Sequence, residues 1–174
     1  AGEALRAAGM RPEEIDLILV STMSSEKIMP CAACEVQKLI GAANATCFDL
    51  NSACTGFLLA LNTAQAYLGQ QIYKRALVIG AEVLSHLTNW QDRSTCVLFG
   101  DGAGAVVLEA EDDGVYIQTT HSIGKSGEAL TCTSRNQPGF IENGADLAPT
   151  YMQMDGKEVF KFAVSKVPEV IQEV

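Results

Sequence analysis

Short apolar runs, each too brief for a helix, alternate along this chain with stretches of helical period. That alternation restricts the fold more than any single residue does. Residues 16–22, 46–50, 76–80 and 105–109 read as strands. Helical patterns lie between them, one from Pro30 to Gly41 and one from Phe57 to about Gly69. Residues 1–9 read as the tail of an amphipathic helix stopped by Gly9. Strands alternating with helices predict an α/β fold, with a mostly parallel sheet covered by helices on both faces. A further strand over 115–120 follows Asp112-Asp-Gly114, which has hairpin chemistry. Residues 105–120 are therefore expected to form an antiparallel pair at the sheet edge.

The rest of the chain is less periodic. Residues 121–152 are rich in Gly, Ser and Asn and read as an excursion over the surface. Residues 156–174 read as an amphipathic helix interrupted near Pro168. Both ends of the chain cut through elements. Residues 1–174 thus read as a half-domain incomplete at both ends, its last helix leading into a missing second half.

Composition excludes several functions. An apolar content of 48% with 19% charged residues describes an ordered globular protein. A net charge of −9 and the lack of a basic run argue against nucleic acid as a partner. The apolar runs are too short to span a membrane, and no basic-then-apolar leader is expected. A cytoplasmic location is expected, with the six cysteines reduced. Cys31-Ala-Ala-Cys34 has the spacing of a redox or zinc pair. Zinc would want a second pair, and Cys47 and Cys54 stand seven apart with no histidine nearby. A redox pair should follow a strand inside a thioredoxin-like unit. The pair is read as core packing, with Cys34, Leu39 and Ile40 sharing a buried helix face, and no metal site is expected.

Chemistry concentrates at Asn51-Ser-Ala-Cys-Thr-Gly-Phe57, between a strand and a helix start. Unpaired N–H groups and partial positive charge at a helix start favour thiolate over thiol. Ser52 and Asn51 are good capping residues, and Gly56 permits close approach of another chain or a ligand. Cys54 is placed as a nucleophile would be. A cysteine among Ala, Gly and Phe is also commonly a small buried hydrophobe. Gly100-Asp-Gly-Ala-Gly104 invites a phosphate-loop reading, but a strand follows it where a dinucleotide loop needs a helix, and the P-loop lysine is missing. It is read as a tight turn. His86 and His121 are read as partly exposed bystanders.

The run Phe48-Asp-Leu-Asn-Ser-Ala-Cys-Thr-Gly-Phe57, with Ala76-Leu-Val-Ile-Gly-Ala-Glu82 and Phe99-Gly-Asp-Gly-Ala-Gly-Ala105, resembles the 3-oxoacyl-acyl-carrier-protein synthase III family in order and spacing. The resemblance extends along nearly the whole chain and implies the first half of the thiolase fold, without its opening strand. It implies an acyltransferase that initiates type II fatty-acid synthesis. An acyl group passes from coenzyme A to Cys54 and is then condensed with the carbanion from decarboxylated malonyl-acyl-carrier protein. No permanently bound cofactor is implied; coenzyme A thioester is a substrate. Leu84, Phe99, Leu130 and Met152 match residues lining the acyl pocket. Met29 matches the residue that a dimer partner inserts into its neighbour's pocket. Arg93 and Phe160 match coenzyme A contacts at the tunnel mouth, whereas Lys157 stands where many members carry asparagine. Trp90 does not match the family's adenine-stacking tryptophan. The resemblance also places the working histidine and asparagine, and the second oxyanion donor, beyond residue 174. One missing oxyanion donor typically costs about a hundredfold in rate. Full activity of these residues alone is therefore not expected. The partners implied are acyl-carrier protein, acyl-coenzyme A and a second copy of the chain. Two other readings remain: a non-catalytic dimerising half-fold, and another cysteine-dependent condensing enzyme of the thiolase fold.

Overall fold

The computed structural model describes residues 1–111, 114–133 and 151–174. They gather into two compact units, Ala1–Val83 with Asp101–Tyr116, and Leu84–Gly100 with Ile117–Val174. The first unit contains α1 (Gly2–Ala8), β1 (Leu17–Ser21), α2 (Ala32–Ile40), β2 (Thr46–Leu50), α3 (Gly56–Gly69), β3 (Arg75–Val83) and β4 (Asp101–Glu109). The strand order is β2-β1-β3-β4. β1 is parallel to both neighbours, and β4 runs antiparallel to β3.

Every residue of β1 is buried, as expected for a central parallel strand. Side chains alternate between the two faces. Leu17 and Leu19 join Ala76 and Val78 of β3 in a core closed by Ala60, Ala64 and Leu68 of α3. Ile18 and Val20 join Leu77 and Ile79 in a second core with Leu5 of α1 and Ala33 of α2. The two-faced covering expected from the sequence is present. Burial of each Leu or Ile here contributes about 1.5–3 kcal/mol. Asp16 locks the entry to β1: its carboxylate accepts from the Lys74 and Arg75 N–H groups at 2.9 and 3.0 Å.

Several expectations are corrected. The run Gly100–Gly104 is not a turn before a strand, because β4 begins at Asp101, with Gly102 opposite Glu82 and Gly104 opposite Gly80. No strand forms over 115–120; β4 instead pairs with the open edge of β3, and Val115 and Ile117 are exposed. Residues 112 and 113 of the expected hairpin turn lie outside the described residues. Leu39 is 81% exposed, so the buried face of α2 runs through Ala33 instead. α2 starts at Ala32 rather than at Pro30, and ends at Gly41, whose φ of 80° suits glycine.

The second unit opens with a 3-10 turn, Leu84–His86. Buried Thr88 and Thr95 spend their hydroxyls on the Leu84 carbonyl and the Asp92 carboxylate. The expected surface excursion over 121–152 begins with a 3-10 helix, Gly124–Ala129, and 134–150 lie outside the described residues. β5 (Leu130–Thr131) pairs antiparallel with β6 (Gln153–Met154). α4 (Gly156–Gln172) starts at the Asp155 cap, whose carboxylate accepts from the Lys157 and Glu158 N–H groups. It runs unbroken through Pro168, contrary to the expected interruption. Val164, the residue four before Pro168, is 55% exposed, so water can satisfy the carbonyl that loses its donor.

Candidate active site

β2 delivers the chain to Asn51, a single 3-10 turn follows over Ala53–Thr55, and α3 begins at Gly56. Cys54 sits in the middle of that turn and is exposed. The turn is strained, since Ala53 has a φ of 44°. A non-glycine residue held there costs about 1–3 kcal/mol, and such residues cluster at functional sites. Burial of Cys54 as a small hydrophobe, the alternative reading, is not what the structure shows. The expected caps are also absent: Ser52 makes no side-chain capping bond, and its carbonyl accepts from the Thr55 hydroxyl at 3.1 Å.

Gly56 explains how the turn stays tight. A Cβ on it would stand 2.0 Å from Ser21 Oγ, so only hydrogen fits between the start of α3 and the end of β1. A Cβ on Gly80 would meet the Phe57 ring at 3.3 Å, so β3 also presses against the first turn of α3. Past Ser21, the chain toward Met29 is tied to β3. The Glu82 carboxylate accepts from the Met23 N–H at 3.0 Å and from the Ser24 hydroxyl, which in turn accepts from the Val83 N–H at 2.7 Å. Met29 itself is 83% exposed, and its bond to Pro30 is cis. Cys54 and Met29 are the site residues that the first unit carries.

Leu84, Phe99, Leu130, Met152, Arg93 and Phe160 belong to the second unit. Backbone bonds tie down the segments that carry three of them. The Met152 N–H donates at 2.9 Å to the Leu87 carbonyl, one residue past the turn that Leu84 begins. Leu130 pairs with Met154 across β5 and β6. Met152 is buried, Leu84 and Phe99 are half-buried, and Leu130 lies at the surface. Arg93 is exposed beside Asp92, whose carboxyl is held below its usual range by hydrogen bonds from Ser94 and Thr95. Phe160 is 66% exposed on α4.

His86 is exposed. His121 lies 2.6 Å from the Glu173 carboxylate, which also accepts from the Thr119 hydroxyl. The clamps made by Glu82 and by Ser21 against Gly56 escaped sequence reasoning. Long-range side-chain pairing leaves no local signal.

A family model described as 3-oxoacyl-[acyl-carrier-protein (ACP)] synthase III matches residues 48–126, which include Cys54. The beta-ketoacyl-[acyl-carrier-protein] synthase III of Clostridium acetobutylicum is 49% identical over 99% of this chain and 56% of its own length. The crystal structure of 3-oxoacyl-[acyl-carrier-protein] synthase III from Aquifex aeolicus superposes with a TM-score of 0.80 at 41% identity, covering all of this chain and 53% of that one. The corresponding enzyme of Pseudomonas aeruginosa superposes with a TM-score of 0.86 at 31% identity, covering all of this chain and 52% of that one. The chain therefore spans about half the length of the relatives it matches. Family model, sequence identity and thiolase-like fold agree that the chain belongs to the 3-oxoacyl-[acyl-carrier-protein] synthase III family.

Proposed function

We propose that this chain supplies the acyl-accepting cysteine of a synthase that initiates type II fatty-acid synthesis. The observation that carries the reading is Cys54, exposed on a strained turn at the head of α3 inside the matched family region. Its thiolate attacks the carbonyl of an acyl-coenzyme A thioester, and coenzyme A leaves as the thiolate. Malonyl-acyl-carrier protein then loses carbon dioxide, and the resulting carbanion attacks the acyl carbon. Cys54 leaves, and a 3-oxoacyl product is formed. A thiolate suits both steps, because it attacks thioesters readily and departs readily.

Leu84, Phe99, Leu130 and Met152 are proposed to line the acyl pocket, with Arg93 and Phe160 at the coenzyme A mouth. The 83% exposure of Met29, beside Ile28 at 88%, supports a loop that a second copy of the chain covers. A flexible methionine at that place would admit a branched or longer primer than an aromatic ring. A strict acetyl preference over isobutyryl in the whole enzyme would refute this. Acyl-carrier protein as partner, the homodimer and a cytoplasmic location belong to the same proposal. Among the described residues no helix is long and apolar enough to cross a membrane.

Mass spectrometry after incubation with acetyl-coenzyme A tests the reading. One acetyl group is expected on Cys54, lost in Cys54→Ser. A label on Cys47 instead, or none at either cysteine in the whole enzyme, would overturn the assignment of Cys54 as acyl acceptor. No label on these residues alone would mean that Cys54 depends on the histidine and oxyanion donor of the second half.

A further inference from the structure

Cys31, Cys34 and Cys47 form a group of thiols that acyl transfer leaves unused. The Cys31–Cys34 pair stands at the start of a helix that connects two parallel strands. β1 and β2 are parallel neighbours, and α2 is the crossover between them. Cys31 is the N-cap of α2 and Cys34 lies in its first turn. Their sulfurs share a hydrogen bond at 3.4 Å. Both thiols are half-buried, whereas Ala33 between them is wholly buried. Ala33 lies inside the core and Cys31 packs against its edge, with both sulfurs half-buried. Cys47 meets the pair from β2. Burial first, then its two neighbours, push its thiol up to about 11, which disfavours its thiolate.

We propose that Cys31 and Cys34 are a reversible dithiol–disulfide site that exchanges with low-molecular-weight disulfides. One cysteine loses its proton to solvent and attacks a sulfur of the small disulfide, forming a mixed disulfide and releasing one small thiolate. The second cysteine, also deprotonated, attacks the protein sulfur of that mixed disulfide and releases the second small thiolate. Two protein thiols are oxidised by two electrons, and the small disulfide is reduced to two thiols. The Asp49 carboxylate accepts from the Ala32 and Ala33 N–H groups at 2.8 Å each, so its charge stands beside the pair. That charge opposes thiolate at Cys34, whose thiol is raised first by its bond to Cys31. A poor thiolate is a poor leaving group, so the closed disulfide is slow to reduce.

The test uses oxidised glutathione and does not depend on acyl transfer. The chain is treated at about pH 8, alkylated and cut with trypsin. The peptide 28–38 contains Cys31 and Cys34 and no other cysteine, whereas 39–74 contains Cys47 and Cys54. Peptide 28–38 is expected two hydrogen masses lighter and unalkylated, its doubly alkylated form falling about tenfold or more. Dithiothreitol should restore the dithiol. Cys31→Ser should trap glutathione on Cys34 and Cys34→Ser should trap it on Cys31. Persistence of doubly alkylated 28–38 would overturn the proposal, as would a disulfide joining 28–38 to 39–74 through Cys47.

Discussion

Replacing Gly56 with alanine tests the packing that holds the Cys54 turn. The added Cβ would stand 2.0 Å from Ser21 Oγ and 3.3 Å from Ser21 Cβ, where carbon contacts prefer about 3.5–4.0 Å. Rotation of the Ser21 hydroxyl relieves only the first contact. Ser21 is 4% exposed on a central strand, so its backbone cannot retreat cheaply. Overpacking of this kind costs about 1–3 kcal/mol. Alanine regains at most about 1 kcal/mol over glycine in a helix, and less at the first helical position. The net loss is about 1 kcal/mol, or a Tm lower by about 2–4 °C at this chain length. Urea and thermal unfolding followed by circular dichroism would measure it. Ser21→Ala removes the oxygen, so the double variant should recover at least half of the loss. A Gly56→Ala variant as stable as the parent, or a double variant equal to the sum of the singles, would refute the argument.

Asp49→Asn leaves one acceptor for the two N–H groups of α2 and should cost about 1–2 kcal/mol in urea unfolding; an unchanged midpoint would contradict the cap. Asp16→Ala frees the Lys74 and Arg75 N–H groups at the start of β3 and should cost about 1–3 kcal/mol by the same assay. The Cys47 thiol is raised from 9.0 to about 11, so its contribution is full below pH 9.0 and is lost as pH rises through about 11. Cys47→Ala should flatten the stability profile over that window; an unaltered slope would remove Cys47 as its source.

Much of the first unit was legible because its signals are local. Apolar runs of strand length, Gly9 and Gly41 at helix ends, and the pattern that divides β1 between two cores all depend on residues near in sequence. The position of Cys54 between a strand and a helix was legible for the same reason. Errors arose where a long-range partner decided the outcome. Gly102 and Gly104 belong to a strand because β3 offered an open edge, and no reading of glycines alone contains that edge. Ser52 did not cap α3, and α2 is capped by Asp49 from a neighbouring strand. Cys31 does pack against the core, as expected, but local period cannot say which of Ala33, Cys34 and Leu39 turns inward. Sequence by itself determined which segments could be strands or helices, and that a cysteine would stand at one of their junctions. Tertiary structure alone decided which carboxylate meets which N–H, which glycine has no room for a Cβ, and which thiols meet. Those depend on distances between segments far apart in the chain, set only when the sheet is assembled.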